Sequence, residues 1–262
     1  MNNFNILIVT EEDEFYLPIV VQKVIENCQY NIEAIFCLKN PTTSSSIKTV
    51  KRFLSTFGVL PLMKYLIRLS HAKILNLFPN LNNTGRFFSV KSIADSFNIE
   101  YLKIQNINNS EVIEWIKDKK IDLIASISPT QIFREHLINS TRFGCINIHS
   151  SFLPKHRGLY PVYWAMASGE REIGVSVHYI EKTIDTGDII IQDKFSLTGI
   201  KTMDEALKKA KLIGAKLLLE AINCVATNSV KRISFSTESG SYHSFPDKES
   251  FKKFKKMGYS LW

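Results

Sequence analysis

The sequence predicts an α/β protein: a mostly parallel sheet flanked by helices, with a short α+β appendage at the C-terminal end. Three observations predict it. Near the start, the apolar run "FNILIVT" is followed by helical periodicity over residues 18–28 and by a second apolar run, "IEAIFCL". Strand, helix, strand at this spacing is a parallel pair joined by a right-handed crossover. Farther along, "IDLIASIS" and "CINIH" are short apolar runs of the kind that form strands buried on both faces. Finally, "TMDEALKKAKLIGAKLLLEAINCVA" has the pattern of a long amphipathic helix, and Thr202 with Glu205 three positions on makes a capping box at its start.

The elements follow in order. The turn after the first strand, "TEEDEFYLP", contains no glycine. The dinucleotide fingerprint is therefore absent, which argues against a nicotinamide-binding enzyme even though the topology is Rossmann-like. Residues 46–78 are dense in apolar side chains punctuated by Lys51, Arg52, Lys64, Arg68 and Lys73. They predict a helical hairpin broken near Gly58 and Pro61, packed on the sheet or on a second subunit. The alternative is an amphipathic surface helix that touches an anionic membrane. After a polar loop, "PNLNNTGR", come a helix over residues 89–97, the strand "IEYLKI", and a helix with Ser110 as N-cap. The alternation in "IGVSVHYI" predicts a half-exposed antiparallel strand. "DTGDIIIQDKFSL" gives a turn and another strand, with Gly187 supplying positive φ to the turn. Residues 229–262 hold short strands and a basic helix.

The chain has 262 residues, which allows one large domain or one domain with a small appendage. Its net charge of +8 suits polyanionic partners, whether nucleic acid, nucleotides, phosphorylated substrates or an acidic membrane face. The run "DKESFKKFKKMG" reads as a solvated helix face. Four cysteines without a CxxC pair, two of them in expected strands, read as reduced thiols in a cytosolic protein. The N-terminus lacks the basic start of a signal peptide, and no stretch approaches the ~20 apolar residues of a spanning helix.

The chemistry-bearing stretch is "CINIHSSFLPKHRG". Asn147 and His149 are two apart on a strand, so they emerge on one face near its C-terminal end. That end is where open α/β sheets bind ligands. A second stretch, "EKTIDTGDII", offers Asp185 and Asp188 in a tight turn.

Together these residues resemble the folate-dependent formyltransferase superfamily, which includes glycinamide ribonucleotide transformylase, methionyl-tRNA formyltransferase and the sugar N-formyltransferases. The resemblance rests on Asn147-x-His149, the "SSFLP" loop with Phe152 in place of the usual leucine, and Asp185-Thr-Gly at the interval expected of the family. It implies a formyltransferase fold over residues 1–200, with a helical insertion at 46–78, followed by the long helix and a small appendage over 201–262. It implies 10-formyl-tetrahydrofolate as co-substrate and no metal. Asn147 would donate to the oxyanion, His149 would stabilise charge or relay a proton, and Asp185 would orient the imidazole and help move the amine's proton. Ser128, Gln131 and Ile132 would line one pterin wall, and Glu181, Thr183 and Asp185 the other. Arg157 and Tyr160 would approach an anionic amine substrate.

The short tail and the "GLYPVYW" segment resemble most the bacterial enzymes that formylate nucleotide-linked amino deoxysugars (dTDP- or GDP-linked) for surface polysaccharide such as O-antigen. The implied partners are that nucleotide sugar and a second copy of the chain, with neither nucleic acid nor a membrane span. A methionyl-tRNA formyltransferase-like enzyme, a formate-releasing hydrolase and a non-catalytic folate- or nucleotide-binding module are the alternatives.

Overall fold

The computed structural model describes residues 4–39, 43–78 and 86–262. The first unit is β1 (Asn5–Thr10), α1 (Leu17–Asn27) and β2 (Asn31–Leu38), with β1 and β2 parallel. The Asp13 carboxylate starts α1 by accepting the backbone N–H groups of Phe15 at 2.9 Å and Leu17 at 3.0 Å, and that of Tyr16 as well. Those of Tyr16 and Leu17, at the N-cap and the first helical position, are donors that a helix start leaves without partners.

Next come α2 (Thr43–Phe57), α3 (Val59–Leu77), α4 (Val90–Ser96), β3 (Glu100–Ile104), α5 (Ser110–Asp118) and β4 (Leu123–Ile127). They are followed by α6 (Glu135–Ile138), β5 (Cys145–His149), the two-residue β6 (Arg157–Gly158), α7 (Pro161–Ala167), β7 (Glu172–Tyr179) and β8 (Ile189–Ser196). The chain closes with α8 (Met203–Ala226), β9 (Tyr242–His243) and α9 (Lys248–Lys256). The polar loop expected at 79–86 lies, apart from Arg86, outside the described residues.

The main sheet runs β3-β2-β1-β4-β5-β7-β8. Its first five strands are parallel, and β7 and β8 are antiparallel to their neighbours. Side chains alternate between two buried layers. Ile6 and Ile8 of β1 join the core under α1, α7 and α8, while Leu7 and Val9 join the core under α5 and α6. The long helix α8 begins in the expected capping box of Thr202 and Glu205. All four cysteines are free thiols, with Cys37 and Cys145 buried.

Three local expectations change. The residue preceding α5 is Asn109, and Ser110 is already helical. β7 is buried on both faces from Ile173 to Tyr179. The reason is tertiary: α8 covers one face, and the loop after β5 covers the other. There Ser176 Oγ accepts the Leu153 N–H at 3.1 Å and donates to the Ser151 carbonyl at 2.6 Å. The hairpin α2–α3 breaks at Gly58 as expected, but α3 buries only Ala72. It leans on Phe15 and Phe88 and leaves most of its apolar residues outside.

The tail returns to the sheet. β9 pairs with β6, Arg157 against Tyr242 and Gly158 against His243. α9 turns Phe251 and Phe254 inward and its lysines to solvent, the solvated face that its sequence predicts.

The turn before β8 also differs from expectation. Its left-handed residue is Asp185, with φ +52°, and Gly187 is not left-handed. Gly187 serves close approach instead: a Cβ there would lie 2.0 Å from the Tyr179 carbonyl oxygen. We expect Gly187→Ala to destabilise the fold by about 1–3 kcal/mol, the usual cost of overpacking. Urea unfolding measures it, and an unchanged midpoint would contradict the placement.

Candidate active site

Asn147 and His149 stand on one face at the end of β5, at 7% and 6% exposure. Across the ladder Asn147 meets Ser126 of β4 on one side and His178 of β7 on the other. The hydrogen bonds fix the proton positions. His178 Nδ1 lies 2.7 Å from the Tyr179 carbonyl oxygen, so that nitrogen carries the proton. Its Nε2 is then an acceptor for Asn147 Nδ2 at 3.4 Å. This orients the Asn147 amide and commits one of its two N–H bonds. His149 Nε2 donates to the His156 carbonyl at 2.9 Å, which turns Nδ1 toward Asp185.

Asp185 enters from the turn after β7. Its left-handed backbone is tolerated because a short polar side chain can bond locally, and such conformations gather at functional sites. Oδ2 accepts the Gly158 N–H at 2.7 Å and lies 3.6 Å from His149 Nδ1. Oδ1 lies 3.6 Å from His178 Nε2. The carboxylate thus sits between two imidazoles whose rings are perpendicular and 6.3 Å apart. With little water present, each charge acts more strongly than at a surface. The 3.6 Å separations exceed hydrogen-bond length, as catalytic contacts often do before a substrate arrives.

The loop that carries Gly158 is held from several sides. Ser151 Oγ donates to the Lys155 carbonyl at 2.7 Å, and Gln192 Nε2 donates to the Leu153 carbonyl at 3.1 Å. The His156 N–H donates to Ser241 Oγ at 2.9 Å, and its ring Nε2 reaches Glu170 at 2.9 Å. The ring also stacks on His243 of the tail. The tail is therefore part of the frame that aims Gly158 at Asp185. At Gly158 itself φ is +90°, and a Cβ would lie 2.4 Å from the His243 carbonyl oxygen.

The other sequence-predicted residues are more dispersed. Ser128, left-handed at the end of β4, accepts a hydrogen bond from Lys211 Nζ at 2.7 Å. Gln131 braces its loop, accepting the Ile107 N–H and donating to the carbonyls of Lys39 and Gln105. Ile132 is 62% exposed, and Thr183 lies in the exposed turn, its carbonyl bonded by Thr186 Oγ1. Glu181 lines a cavity of about 480 Å3 with Arg142, Gly144, Cys145 and Arg232, at the start of β5 rather than beside His149. Arg157 sits in β6, and Tyr160 is left-handed with its ring edge-on to Phe245. Asp188 is tied to Ser234 and lies 3.9 Å from Arg232, which separates its role from that of Asp185.

Sequence reasoning missed His178. The alternation in β7 places it on the face opposite Val177, but only the register with β5 shows that it meets Asn147. It also missed a half-buried set where α8 passes the ends of β1 and β4. Burial pushes the Lys211 ammonium down, against the charges of Asp13 and Glu11. Burial, helped by Asp13, pushes the Glu11 carboxyl up to about 7. Ser126 Oγ, Asn147 Oδ1, Thr130 Oγ1 and Arg157 Nε are buried and find no hydrogen-bond partner among the described residues. Such orphaned groups on adjoining strands and loops fit a polar ligand in the cleft. Among the described residues no three His, Cys, Asp or Glu side chains are arranged to hold a metal ion.

Burial pushes the His178 imidazole down from 6.5 to about 4; Asp185 opposes this and His149 adds to it. Folded His178 thus stays neutral where the unfolded residue takes up a proton. The unfolded state binds more protons in that window, so stability is lost as pH falls from about 6.5 toward 4. His178→Gln should flatten this slope relative to the parent protein in urea unfolding at pH 7.5 and 5. Parallel slopes would contradict the burial of a neutral imidazole.

Comparison with known proteins identifies the family. Residues 83–222, more than half of the chain, match the family model of formyl transferases. A methionyl-tRNA formyltransferase of Clostridium tetani is 29% identical over 213 residues, covering 80% of this chain and 66% of that protein. The chain spans about half to two-thirds of the length of the curated relatives it matches. A glycinamide ribonucleotide transformylase from Symbiobacterium toebii superposes with a TM-score of 0.62 at 13% identity, covering 89% of this chain and 96% of that one. A formyltransferase from Anoxybacillus kamchatkensis, crystallised with UDP-4,6-dideoxy-4-formamido-L-AltNAc and tetrahydrofolate, superposes with a TM-score of 0.51 at 25% identity, covering 62% and 85%. The seven-stranded, mostly parallel sheet and the extent of the family match carry one conclusion: this chain belongs to the formyl transferase family.

Proposed function

We propose that the protein transfers a formyl group from 10-formyl-tetrahydrofolate to the amine of a nucleotide-linked amino deoxysugar, dTDP- or GDP-linked, in the cytoplasm, for surface polysaccharide such as lipopolysaccharide O-antigen. The observation that carries the proposal is the convergence of Asn147, His149 and Asp185 at the buried end of β5, with one Asn147 N–H uncommitted. When bound, 10-formyl-tetrahydrofolate would supply an activated formyl carbon, whose oxygen would gain negative charge on attack by the amine. The uncommitted Asn147 N–H donates to that oxygen, in a site whose low water content strengthens the bond. His149, its Nε2 proton held on the His156 carbonyl, keeps Nδ1 toward Asp185, where a proton on Nδ1 would let the ring offset the developing charge. Asp185 would take the proton that the amine loses as it bonds to the formyl carbon and return it to the folate nitrogen as the carbon–nitrogen bond to the folate breaks, and the Gly158 N–H steadies the carboxylate in that role.

The folate would lie along the loop after β4, with Ser128 and the exposed Ile132 toward the pterin and Gln131 holding the loop's shape. The segment of Glu181 and Thr183 that leads into Asp185 would form the facing wall. Arg157 and Tyr160, beside Gly158, would meet the anionic acceptor. A nucleotide-sugar acceptor is supported by the Anoxybacillus kamchatkensis relative, crystallised with a UDP-linked formamido sugar and tetrahydrofolate. The curated relatives favour a second reading, methionyl-tRNA as acceptor.

The test is incubation with 10-formyl-tetrahydrofolate and a panel of amines: dTDP-, GDP- and UDP-linked amino sugars, glycinamide ribonucleotide and methionyl-tRNA. A nucleotide sugar should be formylated. Asp185→Asn should lower turnover by at least about 100-fold, and Asp188→Asn should not. Turnover of methionyl-tRNA with no turnover of any sugar would overturn the acceptor. A crippling Asp188→Asn beside a mild Asp185→Asn would overturn the assignment of the carboxylate.

A further inference from the structure

The hairpin α2–α3 presents a surface that the site does not use. From residue 43 to residue 78 the chain carries no carboxylate, yet it has Lys48, Lys51, Arg52, Lys64, Arg68 and Lys73. Arg68 is engaged inside, 2.7 Å from Asp204, and Arg52 lies over the Phe245 ring. The other four side chains are exposed lysines. One face of α3, with Tyr65, Leu69 and Ala72, leans on Phe15 and Phe88. The opposite face is apolar and open: Val59 is 62% exposed, Met63 54%, Leu66 49%, Ile67 67%, Ile74 50% and Leu77 73%. At ~100° per residue these six fall within a single stripe, with Lys73 on one edge and Lys64 beyond the other.

We propose that this face docks on an anionic lipid bilayer, with α3 lying in the plane of the interface. An apolar stripe edged by lysines suits that position, because the stripe enters the acyl boundary while the lysine stems follow it and their ammonium groups stay among the headgroups. The absence of carboxylates from the whole hairpin removes the repulsion that a negative surface would otherwise meet. No described helix is long and apolar enough to cross a membrane, so the geometry is that of a helix lying on the bilayer. A second copy fits less well. Two-fold pairing of this face would bring two lysine-edged stripes together, with no acid on the hairpin to neutralise them. Nucleic acid fits less well too, since phosphates would engage the rim and leave the apolar stripe in water. The inference does not depend on which amine the enzyme formylates.

The test is flotation with vesicles of phosphatidylcholine alone, or with about 30% phosphatidylglycerol to give a negative surface potential. Recovery on the anionic vesicles should be at least about tenfold higher, and it should fall as salt is raised. The double variant Met63→Asp/Ile67→Asp should lose about tenfold or more of that recovery, and so should Lys64→Glu/Lys73→Glu. Lys252→Glu/Lys256→Glu on α9 should leave recovery unchanged. All substituted side chains are exposed, so thermal unfolding should match the parent protein. Equal recovery on both kinds of vesicle, or anionic binding that survives Met63→Asp/Ile67→Asp, would overturn the proposal. So would a dimer in sedimentation velocity that the same apolar variant dissociates, or RNA binding lost in Lys64→Glu/Lys73→Glu without any vesicle binding.

Discussion

Asp185 brings a carboxylate, at 11% side-chain exposure, between two imidazoles and fastens it with the Gly158 N–H. A buried carboxylate is costly unless its oxygens are satisfied. The Gly158 N–H satisfies Oδ2 of this one, and holding it there beside His149 requires three separate chain segments to arrive together: the turn after β7, the end of β5 and the loop that follows it. The left-handed backbone of Asp185, the missing side chain at Gly158 and the tight approach of Gly187 to Tyr179 are all consequences of that meeting. A change in any of them moves the acid relative to His149.

The sheet sets the stage. Parallel strands β4 and β5 deliver Ser126, Asn147 and His149 to one end, and antiparallel β7 runs back so that His178 lies beside Asn147. The His178 proton on Nδ1 then dictates which way the Asn147 amide points. A neutral buried histidine thus acts as a fixed acceptor that positions the Asn147 amide. The tail contributes from the other side through β9 and the stack of His243 on His156. Residues far apart in the sequence therefore share one geometric task.

The sequence made much of this legible, for physical reasons. The two-residue period of a strand puts Asn147 and His149 together without any tertiary information, and short apolar runs mark buried strands. What stayed hidden depends on non-local packing. β7 alternates like a half-exposed strand, and only the Ser151–Leu153 loop bonded to Ser176 shows why its polar face is covered. The usual preference for glycine at positive φ points to Gly187, whereas aspartate can take that conformation and the glycine is needed for contact. Gln131 reads as a ligand group, yet its side chain is spent on Ile107, Lys39 and Gln105. β6 and β9 are two residues each, too short for any periodicity. α3 shows the opposite case: its apolar density suggests burial, and the structure leaves that density facing outward.

The central claim is that Asn147 and His149 serve one transition state rather than the stability of a strand. The measurement that tests it is turnover per folded molecule, beside thermal unfolding, for Asn147→Ala, His149→Ala and the double variant. Residues that act as a unit lose their effects together. Each single variant should fall by roughly 100-fold or more, with the double variant little worse than the poorer single and melting temperatures within a few degrees of the parent. Folded single variants that keep nearly full turnover, or losses that multiply in the double variant, would contradict it.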